Sequence, residues 1–253
     1  MADRPRDDTW WIASDGKWYP PTLHPDPEAA PTSAVEHARS TERSSSIPVG
    51  LTRAVTAALA ASTAMFAIAA VFGLRYGSAL RSTTMSAGDV AATEEVFVGW
   101  SALALLALVM SGAVVLAWTF QTSKAFDHRG PTRRRWRGAW TIGSWFVPLA
   151  SFVLPKLVFN ELEKIAQIPF TGDDVGDDWT HQSRSTLGDL WWVLWLIGLF
   201  MVQATQIVMT EPSVDEETLA LAASLSGAAH AALAGAGVAM FFLVRRIEVG
   251  SRS

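Results

Sequence analysis

The sequence predicts an all-α membrane protein with four transmembrane helices, a cytoplasmic re-entrant or interfacial helical segment after the second, and a disordered N-terminal tail. Three observations predict it. Half of the 253 residues are hydrophobic and only 17% are charged. The apolar residues gather into blocks of about eighteen or more, long enough to cross a ~30 Å hydrocarbon core as helix. Residues 1–50 are instead polar and rich in Pro, Ser, Asp and Glu. Finally, lysine and arginine concentrate in particular connections, which lets each loop be assigned a side of the bilayer.

Taken in order, the first element is a cytoplasmic tail, residues 1–47. It holds one aromatic island at 8–21, "DTWWIASDGKWYPP", where two aromatic runs flank the turn signal Ser14-Asp15-Gly16. That pattern suits a hairpin, and its tryptophans and tyrosine suit either docking to a protein partner or contact with a membrane surface. Residues 22–47 read as a disordered linker. No apolar core lies near the start, so the hydrophobic block from Leu51 is expected to act as an uncleaved signal anchor rather than a cleaved signal peptide.

The membrane domain is expected over 51–246, with spans at about 51–74, 96–120, 189–210 and 218–244. Between the second and third lies "RRRWRGAWTIGSWFVPLASFVLPKLVFNELEKI", Arg133 to Ile165. Its apolar stretch is nearly long enough to cross. Pro148 and Pro155, however, each remove a backbone donor and kink a helix, and the chain turns amphipathic through Asn160, Glu161, Glu163 and Lys164. If residues 139–165 dip and return, every lysine and arginine except Arg75 and Arg81 falls on one side, with the acidic turn Glu211–Glu217 on the other. If they cross, Lys164, Arg184 and the C-terminal arginines change sides and the positive-inside rule is poorly obeyed. Four spans with both termini cytoplasmic is therefore the expected topology.

The middle region resembles a known family. Trp140, Trp145, Phe146, Pro148, Pro155 and Glu161, within "GAWTIGSWFVPLASFVLPKLVFNEL", are similar to the pattern of the actinobacterial membrane family called domain of unknown function 4328. The likeness covers about residues 51–246, and the central thirty or so are its distinctive part. The aromatic island separately looks like the short Trp-Tyr-Pro modules that precede membrane domains in such bacteria, without a complete second half. The resemblance implies a multi-span protein of a bacterial cytoplasmic membrane with unassigned activity.

Several function classes are disfavoured by composition. A net charge of −4 argues against a nucleic-acid binder. The absence of cysteine removes disulfides, thiolate nucleophiles and cysteine-ligated metal sites, and the five histidines show no metal-ligand spacing. No cofactor is expected.

Four groups of residues remain as candidates. Asp173, Asp174, Asp177 and Asp178 pair carboxylates that suit Mg²⁺ or Ca²⁺, but Gly172 and Gly176 break any helix that would align them, so a solvated acidic loop is preferred. Arg133, Arg134, Arg135 and Arg137 suit anionic lipid headgroups, or set topology by charge alone. His230 lies mid-span, with Ser226 on its face and Gln203 and Gln206 in the preceding span, a set that reads as packing or as a polar pathway. Gly227, Ala231 and Gly235 recur at a spacing that permits close helix contact, within one chain or between two. The expectation is a non-enzymatic scaffold, sensor or accessory subunit in contact with the bilayer. A small transporter or channel is the alternative, and a metal-dependent membrane enzyme is the least favoured reading.

Overall fold

A computed structural model describes residues 10–13, 15–19, 47–169 and 175–252; the expected linker, save residue 47, lies outside these described residues. The chain divides into two compact units, Met1–Ser44 and Ser45–Ser253.

In the first unit, β1 (Trp11–Ile12) pairs antiparallel with β2 (Trp18–Tyr19), Trp11 opposite Tyr19 and Ile12 opposite Trp18. Gly16 takes the left-handed φ of 76° that the connection needs. Asp15 accepts from the Lys17 amide at 3.1 Å and the Tyr19 hydroxyl at 2.9 Å. These bonds favour the charged carboxylate, the Lys17 amide most, and hold Asp15 below its usual range.

The second unit is helical: α1 (Val49–Leu80), α2 (Ala87–Asp127), the single turn α3 (Trp140–Gly143), α4 (Leu154–Ala166), α5 (Thr186–Met209) and α6 (Glu216–Gly250). Four of these, α1, α2, α5 and α6, are long and apolar enough to cross a membrane. All but α5 run well beyond the expected spans, because polar residues extend and cap the helices outside the apolar block. Ser86 and Asp89 close a reciprocal capping box that starts α2 nine residues before Val96. At 41 residues, α2 is about 60 Å long and its ends stand clear of a ~30 Å core. Its outward face, including Leu105, Leu106, Val109 and Met110, is apolar and exposed, as suits a lipid-facing surface.

The helices alternate in direction. At one end the Trp118 indole of α2 donates to Thr52 Oγ1 of α1 at 3.1 Å. At the other, Tyr76 of α1 stacks on Phe97 of α2, and Arg81 donates to Ser224 Oγ of α6 at 2.9 Å. Arg75 and Arg81 share this second end with the acidic residues of the 81–95 and 210–217 stretches. Every other lysine and arginine of the unit lies at or beyond the first, henceforth the basic end.

Close approach of α1 and α6 rests on glycine. A Cβ on Gly73 would lie 2.8 Å from Gly227 Cα, and one on Gly227 would lie 2.7 Å from the Leu74 amide nitrogen. The expected row Gly227–Ala231–Gly235 does not act as a unit. Ala231 faces outward, and Gly235 approaches Leu194 of α5 instead.

Residues 139–165 form no single helix. After α3 the chain passes Pro148, takes a left-handed turn at Leu149 (φ 62°), makes a 3₁₀ turn at Ala150–Phe152, and enters α4 with Pro155 in its first turn. This stretch runs along α5. Trp145 meets Trp191, Trp192 and Trp195 with ring centroids 6.1–6.4 Å apart. Trp192 donates to the Phe152 carbonyl at 3.1 Å, and the Phe152 ring reaches Phe200 at 5.4 Å. Phe146 and Leu149 at the tip are 71% and 81% exposed. α4 then returns to where the segment began, since the Arg135 amide donates to Glu161. The segment leaves and rejoins the same end. Asn160, Glu161, Glu163 and Lys164, where the sequence turns amphipathic, all lie in α4.

Candidate functional site at the basic end of the bundle

Arg133 takes a left-handed conformation (φ 60°), and the next side chain, Arg134, is turned wholly inside. All its guanidinium nitrogens are used. Nε donates to Glu161 Oε1 at 2.8 Å, Nη1 to Asp127 at 2.8 Å and the Ser123 carbonyl at 3.1 Å, and Nη2 to Ser123 Oγ at 2.9 Å and the Trp136 carbonyl at 3.3 Å. The second Glu161 oxygen accepts from the Arg135 amide at 3.1 Å. One arginine thereby ties α2, the basic loop and α4 together.

A second buried carboxylate extends this platform. Glu163 of α4, 1% exposed, accepts from Arg246 Nε of α6 at 2.9 Å and from the Ser185 amide before α5 at 3.1 Å. Arg129 lies over the Phe126 ring at 5.0 Å and donates to the Ser251 carbonyl, and burial lowers its pKa below the usual arginine value. The Trp179 indole donates to the Thr132 carbonyl at 2.9 Å, closing the outer side.

Between this platform and the loop after α4 lies a cleft of about 520 Å³. Arg135, Lys164 and Arg184 line it, with Trp136 and Trp179 as walls and Asn160 and Ser183 as further polar groups. Hydrogen-bond donors, three cations and aromatic surface suit it chemically to an anion carried on a larger molecule.

The four arginines expected on lipid headgroups thus separate. Arg133 is exposed and pairs with Asp177 at 3.4 Å. Arg137 reaches Asp127 at 3.6 Å and donates to the Pro131 carbonyl. Arg135 lines the cleft. Arg134 is a correction: buried and fully hydrogen-bonded, it is out of reach of a headgroup. Lys164 and Arg184 complete the cleft and were not singled out by sequence, because their partner Arg135 is distant in the chain.

The intramembrane polar set is not brought together. His230 Nδ1 lies 2.7 Å from the Ser226 carbonyl, and its ring sits between Phe66 and Phe97 at 5.9 and 5.8 Å. Ser226 is buried beside it, whereas Gln203 and Gln206 are exposed on α5 and Thr205 is the buried polar residue there. A pathway joining these glutamines to His230 does not exist in this packing, because they occupy the outer face of their helix.

Of the aspartates, Asp173 and Asp174 lie outside the described residues. Asp177 pairs with Arg133, Asp178 opens a 3₁₀ turn, and among the described residues no group of three metal-competent side chains occurs. The motif positions have distinct duties. Trp140, half exposed, packs edge-on against Trp136 at 6.1 Å; Trp145 anchors the dipping segment; exposed Phe146 and Pro148 form its tip; buried Pro155 starts α4; and Glu161 receives Arg134.

Four alternating membrane-competent helices, with a proline-broken segment that rejoins the end it left, define a multi-span helical membrane protein. The profile of the family described as Domain of unknown function (DUF4328) matches residues 81–249, and the chain belongs to that family. The match covers α2 to α6 and leaves α1 outside, a shorter extent than the resemblance from 51 implied. No curated protein and no solved structure matches the chain.

Proposed function

We propose that this protein is a non-enzymatic scaffold or accessory subunit of a bacterial cytoplasmic membrane, with the basic end and both termini on the cytoplasmic side. The observation that carries the reading is the platform at that end. Its buried charges, Arg134, Glu161 and Glu163, together with the exposed Arg246 that pairs with Glu163, hold loop and helices in one arrangement. Ion pairs that tie loop to helices in this way give a rigid surface. The charge distribution supports the orientation, because lysine and arginine are retained on the cytoplasmic side of short loops.

The cysteine-free chain makes the orientation directly testable. Ser213→Cys, in the acidic turn, is expected to react with an impermeant maleimide on intact cells, and Asp177→Cys only after lysis. The reverse pattern overturns that assignment, either because the whole bundle is inverted or because residues 139–165 cross the bilayer. Labelling of both from outside overturns the four-span arrangement. For the transport alternative, proteoliposomes are expected to pass protons and potassium no faster than protein-free vesicles. A flux abolished by His230→Leu, in a variant with unchanged thermal stability, would replace the scaffold reading.

A further inference from the structure

We propose that the cleft at the basic end binds the phosphate headgroup of an anionic membrane lipid, held by Arg135, Lys164 and Arg184. The inference deepens the scaffold reading and rests on the basic end facing an anionic leaflet.

Charge is the first argument. Glu161, the acid lining the cleft, is already neutralised by Arg134 at 2.8 Å. The cations are under-used. Lys164 donates to the Thr180 carbonyl at 3.2 Å, which leaves two of its three donors for a ligand. Arg184 approaches Asp189 only at 4.0 Å, while Lys156 holds that carboxylate at 2.6 Å. The Arg135 guanidinium has no ion-pair partner among the described residues, although its backbone amide is bonded to Glu161. Three convergent cations over one neutralised acid leave a positive cavity, and phosphate oxygens are well matched to arginine forks and a lysine point charge.

The second argument is the boundary on which the cleft sits. Leu157 lines it and is itself partly exposed. Outward from Leu157 the chain presents Val153 and then Leu149, both exposed, which lead to the apolar tip beside α5. Inward, α4 presents Asn160 and Lys164 to the cleft. Along one segment, exposed apolar side chains thus give way to amide and then cation, the order of acyl chain, glycerol and phosphate in a lipid lying upright. Trp136 and Trp179, which wall the cleft, are of the residue type favoured at a membrane interface. A free phosphate would use the cations but leave this apolar approach without a role.

The test uses the full chain in non-ionic detergent, titrated calorimetrically with short-chain phosphatidylglycerol, short-chain phosphatidylcholine and inorganic phosphate. Saturable binding of phosphatidylglycerol at least tenfold tighter than either of the others is expected. Arg135→Gln, Lys164→Gln and Arg184→Gln should each weaken it roughly fivefold, from the contribution of one basic residue near anionic lipid. Lys124→Gln, which removes a charge at the same end outside the cleft, should change it less than twofold. Phosphate binding as tightly as phosphatidylglycerol would overturn the lipid assignment in favour of a soluble anion. Equal binding of the zwitterionic lipid, or losses in Lys124→Gln matching those in the cleft, would overturn the site. Arg184→Gln lies on a loop and preserves the fold independently of the platform, so an unchanged affinity in that variant also counts against the proposal. Binding in detergent does not depend on orientation in the cell, so failure here is distinguishable from failure of the cysteine labelling.

Discussion

Arg134→Met is expected to destabilise the protein by about 3–5 kcal/mol, the cost of removing one partner from a buried ion pair. The variant leaves Glu161, only 5% exposed, with the Arg135 amide as its remaining partner. It also strips the buried Ser123 hydroxyl of a donor, whereas exposed Asp127 keeps Arg137 at 3.6 Å. Thermal unfolding in detergent should show a fall in midpoint on the order of 10 °C. The companion variant Arg134→Met with Glu161→Leu separates two explanations. If the cost is an orphaned charge, removing the second charge restores much of the stability, since a buried pair and well-packed apolar residues are often nearly equivalent. If the double variant is as unstable as the single, the lost hydrogen bonds that Arg134 donates to Ser123, Asp127 and Trp136 hold the platform, and the pair with Glu161 contributes little. A midpoint unchanged in Arg134→Met would show that the loop does not depend on this anchor.

The Arg134 result bears on what could be read from the chain alone. Arg133, Arg134, Arg135 and Arg137 look alike in sequence, and nothing local marks the one that goes inside. The selection is made by Glu161, some twenty-seven positions later, and by the left-handed turn at Arg133. Glu161 was visible as part of a motif, but its partner was not. The spans were legible because an apolar block of sufficient length has few alternatives in water. The break at 139–165 was legible because Pro148 and Pro155 cannot both sit inside a straight helix. Which face of α5 turns inward was not legible. A helix apolar all round carries little periodic signal, so Gln203 and Gln206 could be placed on either side. The cleft was hidden for a related reason: Arg135, Lys164 and Arg184 converge only after α4 has folded back.

One missed feature was in plain sight, and it carries the second large effect. Gly73 and Gly77 form a small-xxx-small pair in α1, but a span ended at Leu74 leaves Gly77 outside it. In the structure α1 continues to Leu80, and both glycines meet α6. Lipid tails are as apolar as leucine, so burial alone does not hold membrane helices together; close backbone approach and van der Waals contact do. Gly227→Leu is therefore expected to cost about 3 kcal/mol, the upper part of the overpacking range. The obstruction is backbone, with Leu74 N at 2.7 Å and Ala70 O at 2.9 Å from the new Cβ, and cannot swing aside as a side chain would. Forcing α1 from α6 should also break the Arg81 bridge to Ser224 and loosen the Phe66 and Phe97 packing around His230. Gly99→Leu is the matched control, since nothing lies within 4 Å of its Cβ position and that face of α2 is exposed. The control should unfold at or slightly above the parent midpoint, because leucine is the better helix former. Equal losses in the two variants would mean that the α1–α6 crossing tolerates separation, and that the glycines are incidental to its stability.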